Sequence, residues 1–130
     1  MKSIGIDRNK RLKEEPGKGH NRWHPDITPV LEVDLGEEVV LETRDASDQQ
    51  VKPGMSVDDM IGFDPKVAHP LTGPVYIIGA SPGDLLEVEY VDIIPQATGW
   101  TRSRPGAGFL RDLFTTHKRL VNQSVIARFG

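Results

Sequence analysis

Two stretches of this chain follow one plan: a run rich in β-branched residues, a short turn in which an acid directly follows a glycine, then a second such run. In the first stretch, residues 30–34 and 39–43 flank Leu35-Gly36-Glu37. In the second, residues 75–79 and 85–93 flank Ser81-Pro82-Gly83-Asp84. β-branched runs bounded by Gly and Pro read as strands, and the spacing predicts two antiparallel strand–turn–strand units. Pro82 presets the φ that position i+1 of a type II turn needs, and Gly83 supplies the positive φ at i+2. Leu86, Val88 and Tyr90 alternate with Glu87, Glu89 and Val91, which predicts a half-buried strand. Side-chain alternation in the first unit places Leu41 in a core and Glu42 in water.

A shift of 47 residues lays Gly36 on Gly83, Glu37 on Asp84, Leu41 on Val88, Glu42 on Glu89 and Asp45 on Asp92. A weak internal duplication would give that correspondence, and so would two hairpins under the same turn constraints, which is the preferred reading. Around these units the texture is looser. Residues 1–20 are polar and broken by Pro16-Gly17, which predicts a flexible basic arm. Residues 46–68 form a long polar loop. Leu110, Leu113, Phe114, His117 and Val121 fall at helical spacing, so the stretch 110–129, which lacks Gly and Pro, is the one helical candidate. The expected organisation is an arm over 1–20, a β-rich region over 21–114 and a divergent, helix-compatible tail over 115–130.

Charge is divided unevenly along the chain. Residues 1–22 carry seven Lys/Arg against three acids, residues 23–93 three against fifteen, and residues 94–130 six against one. An acidic middle repels phosphate backbones, and the basic ends lack aromatic interleaving or a nucleic-acid-reading module. No nucleic-acid partner is expected. Cysteine is absent, which removes disulfides, thiolate zinc sites and cysteine nucleophiles. No apolar run reaches the length of a membrane span, and no apolar h-region follows the N-terminal basic residues. A cytoplasmic protein without a membrane partner is the expectation.

Several blocks occur in an order that carries a family likeness. They are Asn21-Arg22-Trp23-His24-Pro25-Asp26, then Glu42 to Asp45 entering the polar loop, and His69-Pro70-Leu71-Thr72-Gly73-Pro74-Val75. Gly79-Ala80, Pro82-Gly83-Asp84, Gly99-Trp100 and Pro105-Gly106 with Gly108-Phe109-Leu110 complete the set. Over residues 20–114 the chain resembles the N-terminal portion of the acetamidase/formamidase family. The resemblance implies metal-assisted hydrolysis of short aliphatic amides such as formamide and acetamide, to carboxylate and ammonia. It also implies that later Gly-rich and Asp/His/Glu-rich segments of the family lie outside this sequence. One local departure stands out: Asp48-Gln49 occupies a place where the family pattern suggests Asp-Gly, and Gln tolerates a positive φ poorly.

Amide hydrolysis needs an activated water, a group that polarises the carbonyl and an acid for the leaving amine. Imidazole and carboxylate are the metal-ligand types available here. Asp45 ends a strand candidate and His69 opens the next ordered stretch, so both are candidate catalytic residues and candidate ligands for zinc or another divalent metal. Asp48 is a weaker candidate beside them. The bland alternatives are an Asx-turn at Asp45 and a strand-end role for His69. Trp23 is the candidate substrate-binding residue, as a pocket wall, against the alternative of a core tryptophan. Asp58-Asp59 reads as a solvated pair, Asp84 as a turn residue, and His20 and His117 as solvent-facing.

The expected fold is mainly β, an antiparallel sandwich or distorted barrel with long loops and a candidate C-terminal helix. The expected function is that of an amide hydrolase lineage acting on a small amide substrate, present here as an N-terminal portion and assembling as a homo-oligomer. The rival is a non-catalytic β-sandwich binding or assembly module, for which a closed sheet without an open edge would speak.

Overall fold

A computed structural model describes residues 1–56, 58–97, 99–100, 108–109 and 111–113. The chain divides into two compact units, Met1–Gln50 with Asp64–Glu87, and Val51–Phe63 with Val88–Gly130.

The first unit is built from six short strands: β1 (Lys2–Ile4), β2 (Gly19–His20), β3 (Leu31–Val33), β4 (Val39–Leu41), β5 (Leu71–Thr72) and β6 (Val75–Ile77). They pair as β1 with β4, β2 with β5 and β3 with β6. Residues 1–20, expected as an arm, therefore contain two strands, and Ile4 at 2% exposure is the most deeply buried apolar side chain described. The run Lys-Ser-Ile is too short for its polar surroundings to reveal it as a strand. What makes it one is its partner: Lys2, Ser3 and Ile4 lie opposite Val39, Val40 and Leu41. Lys2 reinforces the site by donating from Nζ to Oε2 of Glu37 and to the carbonyl of Glu32, both at 2.8 Å. β1 also lies beside β3, where Val33 is buried as well.

The fold is mainly β, and no α-helix and no closed barrel occur among the described residues. The expected hairpins do not form. β1–β4 and β3–β6 are parallel, and only β2–β5 is antiparallel. Both predicted turns are nevertheless present. Glu37 N–H donates to the carbonyl of Asp34 at 3.1 Å, and Asp84 N–H to the carbonyl of Ser81 at 3.0 Å. Gly36 and Gly83 have φ of 78° and 101°. In each turn the fourth-position acid also accepts the N–H of the first: Asp34 to Glu37 Oε2 at 3.1 Å, Ser81 to Asp84 Oδ2 at 2.8 Å. A turn with positive φ at its third position alone, as in both of these, does not match the twist of a two-residue hairpin and splays the flanking runs. Those runs then find partners elsewhere in the chain.

The end of β4 also departs from the expected alternation. Leu41 is exposed and Glu42 is half-buried, its Oε2 accepting the Ile6 N–H at 2.9 Å. Residues 85–93, expected as the longest strand, have no ladder partner among the described residues, and Leu86, Val88 and Tyr90 are exposed.

In the second unit a 3-10 turn spans Asp58–Met60. Asp59 Oδ2 accepts both N–H and Oγ–H of Ser56 at 2.7 Å, so this acidic residue has a capping task. The candidate helix over 110–129 falls almost wholly outside the described residues.

Candidate functional site

Asp45 follows β4 and organises the turn after it. Its Oδ1 accepts the N–H of Ser47 at 2.9 Å and also the Ser47 hydroxyl, while Oδ2 accepts the N–H of Gln49 at 2.8 Å. Asp48 N–H closes the turn on the Asp45 carbonyl at 3.0 Å. A carboxylate offers about four lone-pair sites, so three donors leave room for one more partner. The Asx-turn at Asp45 is present, and it fixes the carboxylate in place.

His69 is brought to the same turn by its backbone. Its N–H donates to the carbonyl of Ala46 at 2.8 Å, one residue beyond Asp45. The backbone there has φ of 58°, and Asp48 and Gln49 on the facing turn have φ of 53° and 66°. These three are all the positive-φ residues other than glycine that are described, and they meet at one place. The His69 side chain is exposed, and its imidazole has no hydrogen-bond partner among the described residues. Left-handed conformations of non-glycine residues concentrate where surrounding structure over-determines the backbone, which is common at functional sites.

What over-determines this turn is a buried ionic cluster. Arg44 is 4% exposed along its side chain and donates from Nη2 to Oε2 of Glu15 at 2.5 Å. Its Nε lies 4.0 Å from Oδ1 of Asp48, whose side chain is 3% exposed. Asp48 Oδ1 in turn accepts the N–H of Leu12 at 2.8 Å. Glu15 Oε2 also accepts the N–H of Asp7 at 2.9 Å. That backbone bond, followed by the Arg44 guanidinium, holds the Glu15 carboxyl below the usual carboxylate range. Arg44 Nη1 has no partner among the described residues.

Gln49 completes the brace. Its Nε2 donates to the carbonyls of Arg8 and Lys10, each at 2.7 Å. Residues 7–15 are thus strapped across the Asp45–Asp48 turn. The sequence marks Gln49 for its backbone alone, and it does not mark Arg44 or Glu15. One signal was available: Arg44 is the only Lys or Arg between residues 23 and 51, in a strongly acidic stretch.

The remaining candidates are more dispersed. Trp23 is 88% exposed, so neither a core role nor a pocket wall is built around it by the described residues. Next to it, His24 Nδ1 accepts the N–H of Asp26 at 3.2 Å. His20 is half-buried rather than solvent-facing, since it lies in β2 opposite Leu71 and its Nδ1 bonds the Arg22 carbonyl at 2.6 Å. Asp84 is occupied by its turn.

Comparison with known proteins gives this geometry its setting. The acetamidase/formamidase family profile matches residues 5–126. The chain belongs to the acetamidase/formamidase family. The match extends the likeness to both sides of the 20–114 stretch that carries the motifs, so β4 and the Arg44 cluster fall within it, and β1 lies just before it.

Among acetamidase/formamidase relatives, the acetamidase of Mycolicibacterium smegmatis is 36% identical over 124 residues, covering 85% of this chain and 30% of that protein. The formamidase of Methylophilus methylotrophus is 35% identical over 121 residues, covering 88% of this chain and 30% of that protein. A solved structure, the gamma lactamase from Delftia acidovorans, superposes with a TM-score of 0.59 at 37% identity. It covers 64% of this chain and 20% of that one. The chain therefore spans less than a third of the length of the family members it matches.

The fit to a metal can be judged from the donors. No three His, Asp or Glu side chains among the described residues are grouped as a metal would need. A zinc centre takes three protein ligands plus an open position when catalytic. His69 and Asp45 are of the right donor type, and what joins them is backbone: His69 N–H donates to the carbonyl of Ala46, the residue after Asp45.

Proposed function

We propose that this chain forms part of an amide hydrolase acting on short aliphatic amides, formamide and acetamide among them, with carboxylate and ammonia as products. The observation that carries this reading is the family match across residues 5–126, with relatives bearing the names acetamidase and formamidase. The meeting of Asp45 and His69 at one braced turn supports it. Asp45 and His69 are this chain's share of a divided site for zinc or another divalent metal. Bound there, the metal would lower the pKa of a water and polarise the amide carbonyl. The chain's own contribution is positional: the Asp45 turn fixes a carboxylate, and the strained His69 backbone presents an imidazole to solvent beside it. Trp23 offers an apolar surface to the substrate once other segments of the family fold lie over it.

The protein acts in the cytoplasm and assembles as a homo-oligomer. No helix among the described residues is long and apolar enough to cross a membrane, and cysteine is absent. The rival reading, a self-sufficient β-sandwich binding module, calls for a closed sheet. The exposed run after the Ser81–Asp84 turn, without a ladder partner among the described residues, speaks for participation in a larger fold instead.

The test is ammonia release from formamide and acetamide with and without added zinc. It is run on this chain and on a chimera in which it replaces the matched third of the Mycolicibacterium smegmatis acetamidase. Zinc-dependent turnover by the chimera, lost on His69→Asn, is the expected result. A folded chimera that releases no ammonia from either amide would refute the reading.

A further inference from the structure

Residues 88–94, Val-Glu-Tyr-Val-Asp-Ile-Ile, belong to the second unit and are wholly exposed. Val88, Tyr90, Val91, Ile93 and Ile94 stand among the most exposed large apolar residues of the chain. None of the backbone N–H or C=O groups of residues 88–94 has a hydrogen-bond partner among the described residues. In a strand, Val88, Tyr90, Asp92 and Ile94 fall on one face and Glu89, Val91 and Ile93 on the other. Both faces are mostly apolar. That pattern belongs to a strand covered on both faces within a sheet, not to one facing water.

The earlier half of the chain shows what kind of partner such a run takes. Val88 and Glu89 correspond to Leu41 and Glu42 under the 47-residue shift. The turns that precede them share one hydrogen-bond pattern down to the acid that accepts the first residue's N–H. Leu41 is paired in parallel with Ile4, and the ladder continues through Glu42 N–H to the Ile4 carbonyl at 3.0 Å. Among the described residues nothing plays the part of β1 for Val88.

We propose that residues 88–94 are the acceptor edge for a β-strand contributed by the part of the acetamidase/formamidase fold outside the matched third. Pairing is parallel, as for Leu41 with Ile4. The occupant is argued from length: family members carry more than twice as much chain again beyond what this sequence matches. An unpaired apolar edge is otherwise a template for aggregation. The inference rests on the reading of this chain as part of a larger hydrolase, and its test is separate from catalysis.

The experiment is amide hydrogen exchange over residues 88–94, in this chain alone and in the acetamidase chimera. The expected result is exchange in the chimera slower by about 100-fold or more, as for a formed ladder. Fast exchange in a chimera whose β1–β4 amides are protected would overturn the proposal. So would protection in the chain alone that grows with its concentration, which would assign the edge to a second copy. Should the chimera not fold, the aligned segment of the intact Mycolicibacterium smegmatis acetamidase is measured instead, and fast exchange there overturns the proposal equally. Protection in a chimera inactive on both amides would leave this inference standing and remove the hydrolase reading.

Discussion

Arg44 donates to Glu15 at 2.5 Å from a side chain that is almost wholly buried, and so joins the start of the chain to the turn that carries Asp45. The Asp7 N–H and then Arg44 hold the Glu15 carboxyl below its ordinary range. A carboxyl whose folded pKa is depressed stabilises the fold at pH above its unfolded value. That contribution is lost as pH falls through the ordinary carboxylate range to the lowered value. Glu15→Gln should therefore lower the melting temperature at neutral pH, with the gap to the parent closing toward acid. Thermal melts between pH 7 and pH 3 check this; a gap constant with pH would exclude it.

Gln49 sets two effects against each other. Its left-handed backbone is unfavourable for a residue with a Cβ by about 1 kcal/mol, and its amide makes two bonds to the residue 8–10 segment. Gln49→Ala loses the bonds and keeps the backbone penalty, whereas Gln49→Gly loses the bonds and is relieved of it. The glycine variant should be the more stable of the two by about 1 kcal/mol in urea denaturation. Equal stabilities would mean that the turn relaxes away from positive φ.

Gly19 sits where β2 meets β5. A Cβ there would lie 2.3 Å from the carbonyl oxygen of Leu71, a backbone atom that cannot move without opening the pair. Gly19→Ala should destabilise the protein by about 1–3 kcal/mol, as overpacked sites do. Denaturation midpoints test it, and a neutral result would show that the two strands separate freely.

His69→Asn separates metal binding from folding. Asparagine tolerates the left-handed conformation, and the histidine ring makes no hydrogen bond among the described residues. Stability should stay within about 0.5 kcal/mol of the parent, while zinc affinity of the acetamidase chimera, titrated calorimetrically, should fall by about tenfold or more. Unchanged zinc affinity would remove His69 from the ligand set.

Trp23→Phe should leave stability unchanged within about 0.5 kcal/mol, because the ring is exposed. In the chimera it should raise KM for acetamide with little change in kcat. A large stability loss would instead place the indole in a packed core.

Local features were legible in the sequence because local chemistry decides them. The two glycine turns, the Asx-turn at Asp45 and the awkward φ at Gln49 each depend on a few adjacent residues. Pairing was not legible, because neighbouring runs such as 30–34 and 39–43 look like a hairpin unless the turn between them is known to splay. β1 was invisible for a related reason: Lys-Ser-Ile becomes a strand only when Val39, Val40 and Leu41 lie beside it. The site was half legible. Asp45 and His69 were visible by residue type, but the brace of Arg44, Glu15 and Gln49 depends on contacts between distant positions.

The two parallel ladders match Lys2 with Val39 and Leu31 with Val75. Each requires a long loop to close before any hydrogen bond is returned, an entropic cost that the local glycine turns never face. Refolding from denaturant should thus run in two stages. The Asp34–Glu37 and Ser81–Asp84 turns set early, and burial of Ile4 against its distant neighbours comes last and governs the rate.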